Sequence, residues 1–342
     1  MPEVAPTASR KADHIRINLQ EDVQSGQTTG LECYRFIHQA VPERSLDSVN
    51  IGTVFLGHAL RAPLLISSMT GGTEQAQIIN RFLAEAAETT GIAMGLGSQR
   101  VALEDARAAR SFHVRDVAPT AMLLANLGAV QLNHGVGVAE CQRAVEMIRA
   151  DALILHLNAL QEALQPEGNH DFSNLLSKIS LVCHALTVPV IVKEVGWGIS
   201  AKVARWLADA GVAAVDVAGS GGTSWSQVEM HRATDPDIAR LAGDFVGWGI
   251  PTAEALVGCR AALADLPLIA SGGIRNGIDA AKCIALGANL VGCANPFLKA
   301  AAVSSEATVK AVRLMILQMR IVMFAAGAGT IAELRQTPLI RE

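Results

Sequence analysis

Four polar side chains crowd into seven residues where an apolar run ends: His156, Asn158, Gln161 and Glu162 follow Ala152-Leu-Ile-Leu. Glu162 suits Mg²⁺, because a hard cation takes few carboxylates and shares its remaining positions with substrate phosphates. His156 and Glu162 do not have the H-E-x-x-H spacing of a zinc site. A lone histidine is more often a structural residue, but four polar groups leaving one apolar run ask for a ligand. Lys193 closes another such run, Pro189-Val-Ile-Val. It could be a Schiff-base nucleophile, a side chain snorkelling to solvent, or a fixed cation beside an electron-rich ring. Two glycine-rich turns, Gly219-Ser220-Gly221-Gly222-Thr223 and Ser271-Gly272-Gly273-Ile274-Arg275, follow consecutive apolar runs. Such turns let backbone N–H groups converge on an anion, which makes Gly222, Thr223, Gly273 and Arg275 candidate phosphate ligands. Arg10-Lys11-Ala12-Asp13-His14 near the start is a solvated charge cluster, or a clamp on a second anion if it lies over the same pocket.

Eight short apolar runs supply the elements that carry these groups: Pro63–Ser67, Ile92–Gly95, Met122–Asn126, Ala152–His156, Pro189–Lys193, Ala213–Val217, Leu268–Ser271 and Asn289–Gly292. The segments between them show helical spacing, over Glu74–Thr90, Gly137–Arg149, Phe172–Leu186, Ser200–Gly211 and Gly277–Gly287. Continuous apolar strands alternating with helices imply a parallel sheet, and eight repeats favour closure into a (β/α)8 TIM barrel. No G-x-G-x-x-G follows the first run, against a doubly wound fold. In a barrel, chemistry gathers at the C-terminal ends of the strands, where the groups above lie. Residues 1–62 form an N-terminal arm expected to pack on the barrel of residues 63–342, within one domain overall. Residues 218–262 are a long loop after strand six. A last helix spans roughly 307–326.

Composition narrows the field. The 342 residues are 50% hydrophobic but only 4% aromatic, so the core is aliphatic and alanine-rich. A net charge of −4 gives no electrostatic footprint for nucleic acid or an anionic membrane. Six scattered cysteines contain no C-x-x-C pair and read as free thiols. The N-terminus opens polar, and the most apolar stretch, residues 284–303, is broken by Asn289, Asn295, Pro296 and Lys299. A cytoplasmic protein is expected, with apolar helices such as Leu314–Phe324 suited to a homo-oligomer (tetramer or octamer).

Taken in order, these segments resemble the type 2, FMN-dependent isopentenyl-diphosphate delta-isomerases. The resemblance rests on R-K-A-D-H at 10–14, S-S-M-T-G-G at 67–72, G-S-Q-R at 97–100 and H-L-N-A-L-Q-E at 156–162. It continues through V-K-E-V-G at 192–196, G-G-T-S-W at 221–225, W-G-I-P-T at 248–252 and S-G-G-I-R at 271–275. It covers about residues 10 to 335. The last motif alone would indicate only an FMN barrel. The family interconverts isopentenyl and dimethylallyl diphosphate using reduced FMN and Mg²⁺, with NADPH keeping the flavin reduced. Carried onto this chain, the resemblance implies that Arg10, Lys11, Ser98, Gln99, Arg100 and Asn158 line the substrate diphosphate pocket, helped by His156. Glu162 would bind Mg²⁺. Ser67, Ser68, Met69, Thr70, Ser98 and Ala218 would meet the isoalloxazine ring, with Asn126 and Lys193 at its polar edge. Thr223, Gly273, Ile274, Arg275, Ala294 and Asn295 would hold the ribityl phosphate. Gln161 would orient the hydrocarbon and flavin N5 would carry the proton, with Lys193 stabilising the anionic ring. The sequence departs from the family pattern at Ala218, often a serine, at Asn295, commonly basic, and at Ala159, frequently a proline.

The alternative on the same phosphate loops is an FMN-dependent 2-hydroxy-acid oxidoreductase. Such enzymes carry His-Gly-Gly-Arg near strand seven, where this chain reads Ala270-Ser271-Gly272-Gly273 and lacks the base. A barrel that senses flavin without turnover would not need a carboxylate suited to Mg²⁺ beside a substrate clamp.

Overall fold

A computed structural model describes residues 6–105 and 107–342; the first five residues of the expected arm lie outside it. Eight parallel strands close into a barrel: β1 (Leu64–Ile66), β2 (Ala93–Gly95), β3 (Leu123–Gly128), β4 (Ala152–His156), β5 (Val190–Lys193), β6 (Ala214–Asp216), β7 (Leu268–Ala270) and β8 (Leu290–Cys293). β8 pairs with β1, and β6 with β7, so the barrel has no free edge.

Every barrel strand except the mouth end of β4 is buried along its length, because one face packs inward and the other meets helices. The inward residues follow a period of two. Leu65, Ala93, Leu124, Ile154, Ile191, Ala214, Ile269 and Leu290 form one inner apolar cluster. Full burial of each large member contributes about 1.5–3 kcal/mol. A hairpin of Thr53–Phe55 and His58–Leu60 adds Phe55 and Leu60 to that cluster. The arm therefore plugs the end of the barrel away from the strand C-termini.

Helix α2 (Glu74–Thr90) illustrates how the outer layer is specified. Thr73 caps its first turn by accepting from the Ala76 N–H, and Gly91 ends it at φ 68°. Ile79, Leu83, Ala84 and Ala87 form its buried face. Around the barrel follow α3 (Arg100–Glu104), α4 (Val138–Ile148), α5 (Ala159–Leu164), α6 (Leu175–Ala185) and α7 (Ala201–Asp209). After β6 come α8 (Trp225–Arg232), α9 (Pro236–Asp244) and α10 (Thr252–Ala262), then α11 (Gly277–Ala285) after β7 and α12 (Asn295–Ala301) after β8. The expected long loop at 218–262 is thus mostly helical. α13 (Ser305–Ala325) packs on α2, α11 and α12, and α14 (Ile331–Gln336) precedes a last strand, Leu339–Arg341, which pairs with Tyr34–Phe36. The arm begins as helix α1 (Pro6–Gln20), which packs on α8.

Candidate active site

Two residues beyond the inner apolar layer, on the same face, the strand periodicity continues but the chemistry changes. Ser67, Asn126, His156, Lys193, Asp216 and Ser271 stand two positions after Leu65, Leu124, Ile154, Ile191, Ala214 and Ile269, and so face the same way. The matching positions on β2 and β8 are Gly95 and Gly292. A Cβ on either would come within 2.6 Å of the Ser68 or Ser67 hydroxyl. Ser67, Asn126, His156, Lys193, Ser271 and Gly292 of this layer form the floor of a cavity of about 540 Å³ at the strand C-termini, with Asp216 beneath it.

At one end of the cavity, Arg10 and Lys11 of α1 meet Ser98 and Arg100. Lys11 Nζ donates to the Ser98 carbonyl at 2.7 Å. Burial, then the nearby Arg10 and Arg100 charges, lower Lys11 to about 7 despite Glu104. Arg10 donates to Gln165 Oε1 at 3.2 Å, and Arg100 to Glu104 at 2.8 Å. Three cations facing one wall make a site for a multiply charged anion.

The loop after β4 and helix α5 build the middle wall. Asn158 Nδ2 donates to Glu162 Oε1 at 2.9 Å, and the Asn169 N–H donates to Glu162 Oε2 at 2.6 Å. The two Glu162 carboxyl oxygens have acceptor capacity beyond those two bonds. The buried Asn158 Oδ1 has no partner among the described residues. His156 Nδ1 pairs with Asn126 Oδ1 at 2.8 Å. Burial and the charges of Lys193, Lys11 and Arg10 push it down to about 3, so its imidazole is neutral.

Behind this wall lies a residue the sequence did not single out. Glu229 of α8 is 3% exposed and accepts from Gln161 Nε2 at 3.0 Å and Gln165 Nε2 at 2.5 Å. His14 Nε2 lies 3.2 Å away, and Arg232 donates at 2.6 Å. Burial would raise its carboxyl, but His14, Gln161 and Gln165 outweigh burial and hold it at about 2. The His14 ring also packs edge-on against Trp225 at 5.0 Å. Glu229 thus joins α1, α5 and α8 around Gln161. Only its partners, all polar, could have signalled it in the sequence.

At the other end, the turns after β6 and β7 press backbone to backbone. A Cβ on Gly222 would stand 2.5 Å from the Gly273 nitrogen, and Gly272 and Gly273 have φ of 101° and 70°. The Ser25 N–H donates to the Gly222 carbonyl and the Ser224 N–H to the Val23 carbonyl, both at 2.8 Å, so the arm holds this turn in place. Arg275 donates to Gln24 at 2.6 Å. Ser67 Oγ and Ser68 Oγ, buried on the floor, have no partner among the described residues. Orphaned hydroxyls over a glycine cradle fit a flat, polar-edged ring with a phosphate tail.

Met69, Thr70, Ala218, Thr223, Ile274, Ala294 and Asn295 also line the cavity. Gln99 does not. It is fully buried, its Nε2 donates to the Ala144 carbonyl at 2.9 Å and its Oε1 accepts from the Asn126 N–H at 3.0 Å. Both ends of its amide are spent joining β3 to α4, so the Gln99 side chain braces the wall from behind instead of facing the cavity. Asp216, buried behind the cavity wall, and the half-buried Glu194 received no role from the sequence. Burial pushes Glu194 up to about 7 although the Val195, Gly196 and Trp197 N–H groups all donate to it.

The family model described as FMN-dependent dehydrogenase matches residues 155–341. An isopentenyl-diphosphate delta-isomerase from Synechococcus sp. is 57% identical over 333 residues, 97% of this chain and 96% of that protein. One from Rickettsia rickettsii is 53% identical over 330 residues, 96% of each chain. Among solved structures, a mandelate oxidase mutant with the monooxide FMN adduct superposes at TM-score 0.69 and 18% identity, covering 98% of this chain and 100% of its own. A flavocytochrome b2 mutant with benzoylformate reaches 0.71 at 16% identity, covering 96% and 82%. At such identities the two structures speak for the barrel fold alone.

Proposed function

The chain belongs to the isopentenyl-diphosphate delta-isomerases within the FMN-dependent dehydrogenase family, and from that premise we propose how its cavity performs the isomerisation. The reaction shifts an allylic double bond. A proton is added at the terminal methylene of isopentenyl diphosphate and another is removed at C2, without net redox change. The barrier is a tertiary, carbocation-like transition state in a small hydrocarbon that offers nothing polar to grip. Reduced FMN, when bound, supplies an electron-rich ring and the acid/base partner for that charge.

The chain's own residues do the rest. Arg10, Lys11, Arg100, Ser98 and Asn158 bind the diphosphate, with Mg²⁺ on Glu162 and neutral His156 beside it. This remote binding energy positions the isoprenyl tail. Gln161, held by Glu229, orients the hydrocarbon. Ser67, Ser68, Met69, Thr70, Asn126, Lys193 and Ala218 hold the ring. Thr223, Gly273, Ile274, Arg275, Ala294 and Asn295 hold its phosphate, and NADPH serves as reductant. The enzyme works in the cytoplasm as a homo-oligomer, a tetramer or octamer, with the exposed Leu314, Leu317 and Ile321 of α13 as contact face.

The observation that carries this reading is one cavity with a cationic end, a glycine-cradle end and the Gln161–Glu229 pair between them. A 2-hydroxy-acid oxidase would need a base where Ser271 donates to Asp216 at 2.7 Å. The test is turnover of purified protein with FMN, Mg²⁺ and isopentenyl diphosphate, before and after reduction. Dimethylallyl diphosphate formed only in the reduced state is expected. Oxidation of a 2-hydroxy acid instead would overturn the reading.

A further inference from the structure

We propose that Asp216, buried beneath the cavity floor, acts as a positioning residue that tempers the positive charge Lys193 presents to a bound ring. The proposal rests on the FMN reading above and assigns Asp216 a role within it.

Register places the two groups together. On three adjacent strands, His156 pairs with Lys193 and Lys193 with Asp216, all facing inward. Neighbouring strands lie about 4.8 Å apart, so the two side chains leave adjacent inward-facing positions. Lys193 Nζ itself donates to the Glu194 carbonyl, and its charge acts on the Asp216 carboxyl without a direct ion pair. Asp216 is 1% exposed, while Lys193 reaches the cavity wall. His156, on the other side, is neutral and adds no charge. Glu194 is adjacent in sequence but of opposite parity; the Lys193 charge acts on it as well, but its carboxylate is spent on three backbone N–H groups of its own loop. Lys11, Arg10, Arg100, Glu162 and Glu229 belong to the diphosphate end. Among the described residues, Asp216 is the carboxylate in the inward-facing layer.

Its surroundings are arranged around one oxygen. Oδ1 accepts from Ser271 Oγ at 2.7 Å and from the Ala218 N–H at 3.2 Å. Ala218 holds φ 37°, an unfavourable value for a residue with a side chain, at the turn that aims that N–H. Oδ2 is buried with no hydrogen-bond partner among the described residues. Burial raises the Asp216 carboxyl above its ordinary value, while Lys193, Ser271 and Ala218 favour its charged form. A half-satisfied buried carboxylate one strand from a lysine is costly as hydrogen bonding alone. As a counter-charge it keeps Lys193 from over-stabilising a negative ring.

Asp216→Asn tests this, because an asparagine Oδ1 can still accept from Ser271 and Ala218 while the charge is lost. The probe is sulfite, which adds to oxidised flavin and leaves the ring anionic. For FMN-loaded Asp216→Asn, the sulfite dissociation constant is expected to fall on the order of tenfold, as removing a like charge from the neighbourhood of the anionic ring implies. Ser271→Ala, which removes a donor to the carboxylate and favours its protonation, is expected to shift it the same way by less. A purely structural role would alter melting temperature and leave sulfite affinity where it was. Unchanged or weaker sulfite binding in FMN-loaded variants would overturn the proposal and leave the isomerase reading standing. Failure of the wild-type protein to hold FMN would overturn both.

Discussion

Lys11 lies between Arg10 and Arg100 with its ammonium on the Ser98 carbonyl, and its value of about 7 reflects burial and those two charges. A diphosphate at that wall replaces like-charge repulsion with attraction and raises the pKa of Lys11. Binding must then take up protons at pH above 7. The sign follows: affinity is flat with respect to this group below pH 7 and falls as pH rises toward the bound-state value, by at most about tenfold per pH unit. Calorimetric titration of pyrophosphate into the protein at pH 8, in buffers of different ionisation enthalpy, should record that uptake, and Lys11→Met should abolish it. No uptake in the unaltered protein would place Lys11 outside the anion site. His156, neutral with its Nδ1 on Asn126, should contribute no inflection over the same range.

At the scale of elements, α8 holds α1 over the cavity and steadies α5. Its Val228 packs with Ile17 and Val23 of the arm, and its Glu229 takes Gln161, Gln165 and His14. Glu229→Gln leaves Arg232 and the two glutamines competing for one amide oxygen, a loss of about 1–3 kcal/mol in this network. Hydrogen exchange of the α1 amides should quicken and the apparent KM for the diphosphate should rise about tenfold. Unchanged α1 protection would remove Glu229 as the tie. The sequence could not show this. α8 buries Ser226, Gln227 and Glu229 beside Val228, so no apolar stripe betrays a helix, and residues 218–262 looked like loop. The barrel strands were legible for the opposite reason. With both faces covered they read as unbroken apolar runs, and their first polar residues, such as Asn126 and Lys193, mark where the floor begins. The placement of the Gln99 side chain was not legible, because a strand-end amide looks the same in sequence whether it faces the cavity or braces the wall.

For the whole molecule, the barrel supplies a rigid floor, and the arm closes the rest. Its hairpin plugs one end, α1 brings cations to the other, and residues 23–25 hold the glycine turn after β6. The same barrel shape in a mandelate oxidase mutant and a flavocytochrome b2 mutant shows how little the scaffold decides; the groups at the strand ends decide the reaction. In the proposed reading they make two anion sites separated by Gln161, an arrangement for moving a proton on a tethered hydrocarbon rather than for passing electrons. The most direct measurement is therefore stoichiometric. Protein loaded with FMN and Mg²⁺ is reduced once, freed of reductant, kept anaerobic in D₂O and given excess isopentenyl diphosphate. Many dimethylallyl diphosphates per flavin, carrying deuterium and leaving the flavin reduced, are expected. One product or fewer per flavin, with the flavin oxidised as product appears, would contradict a redox-neutral proton shift.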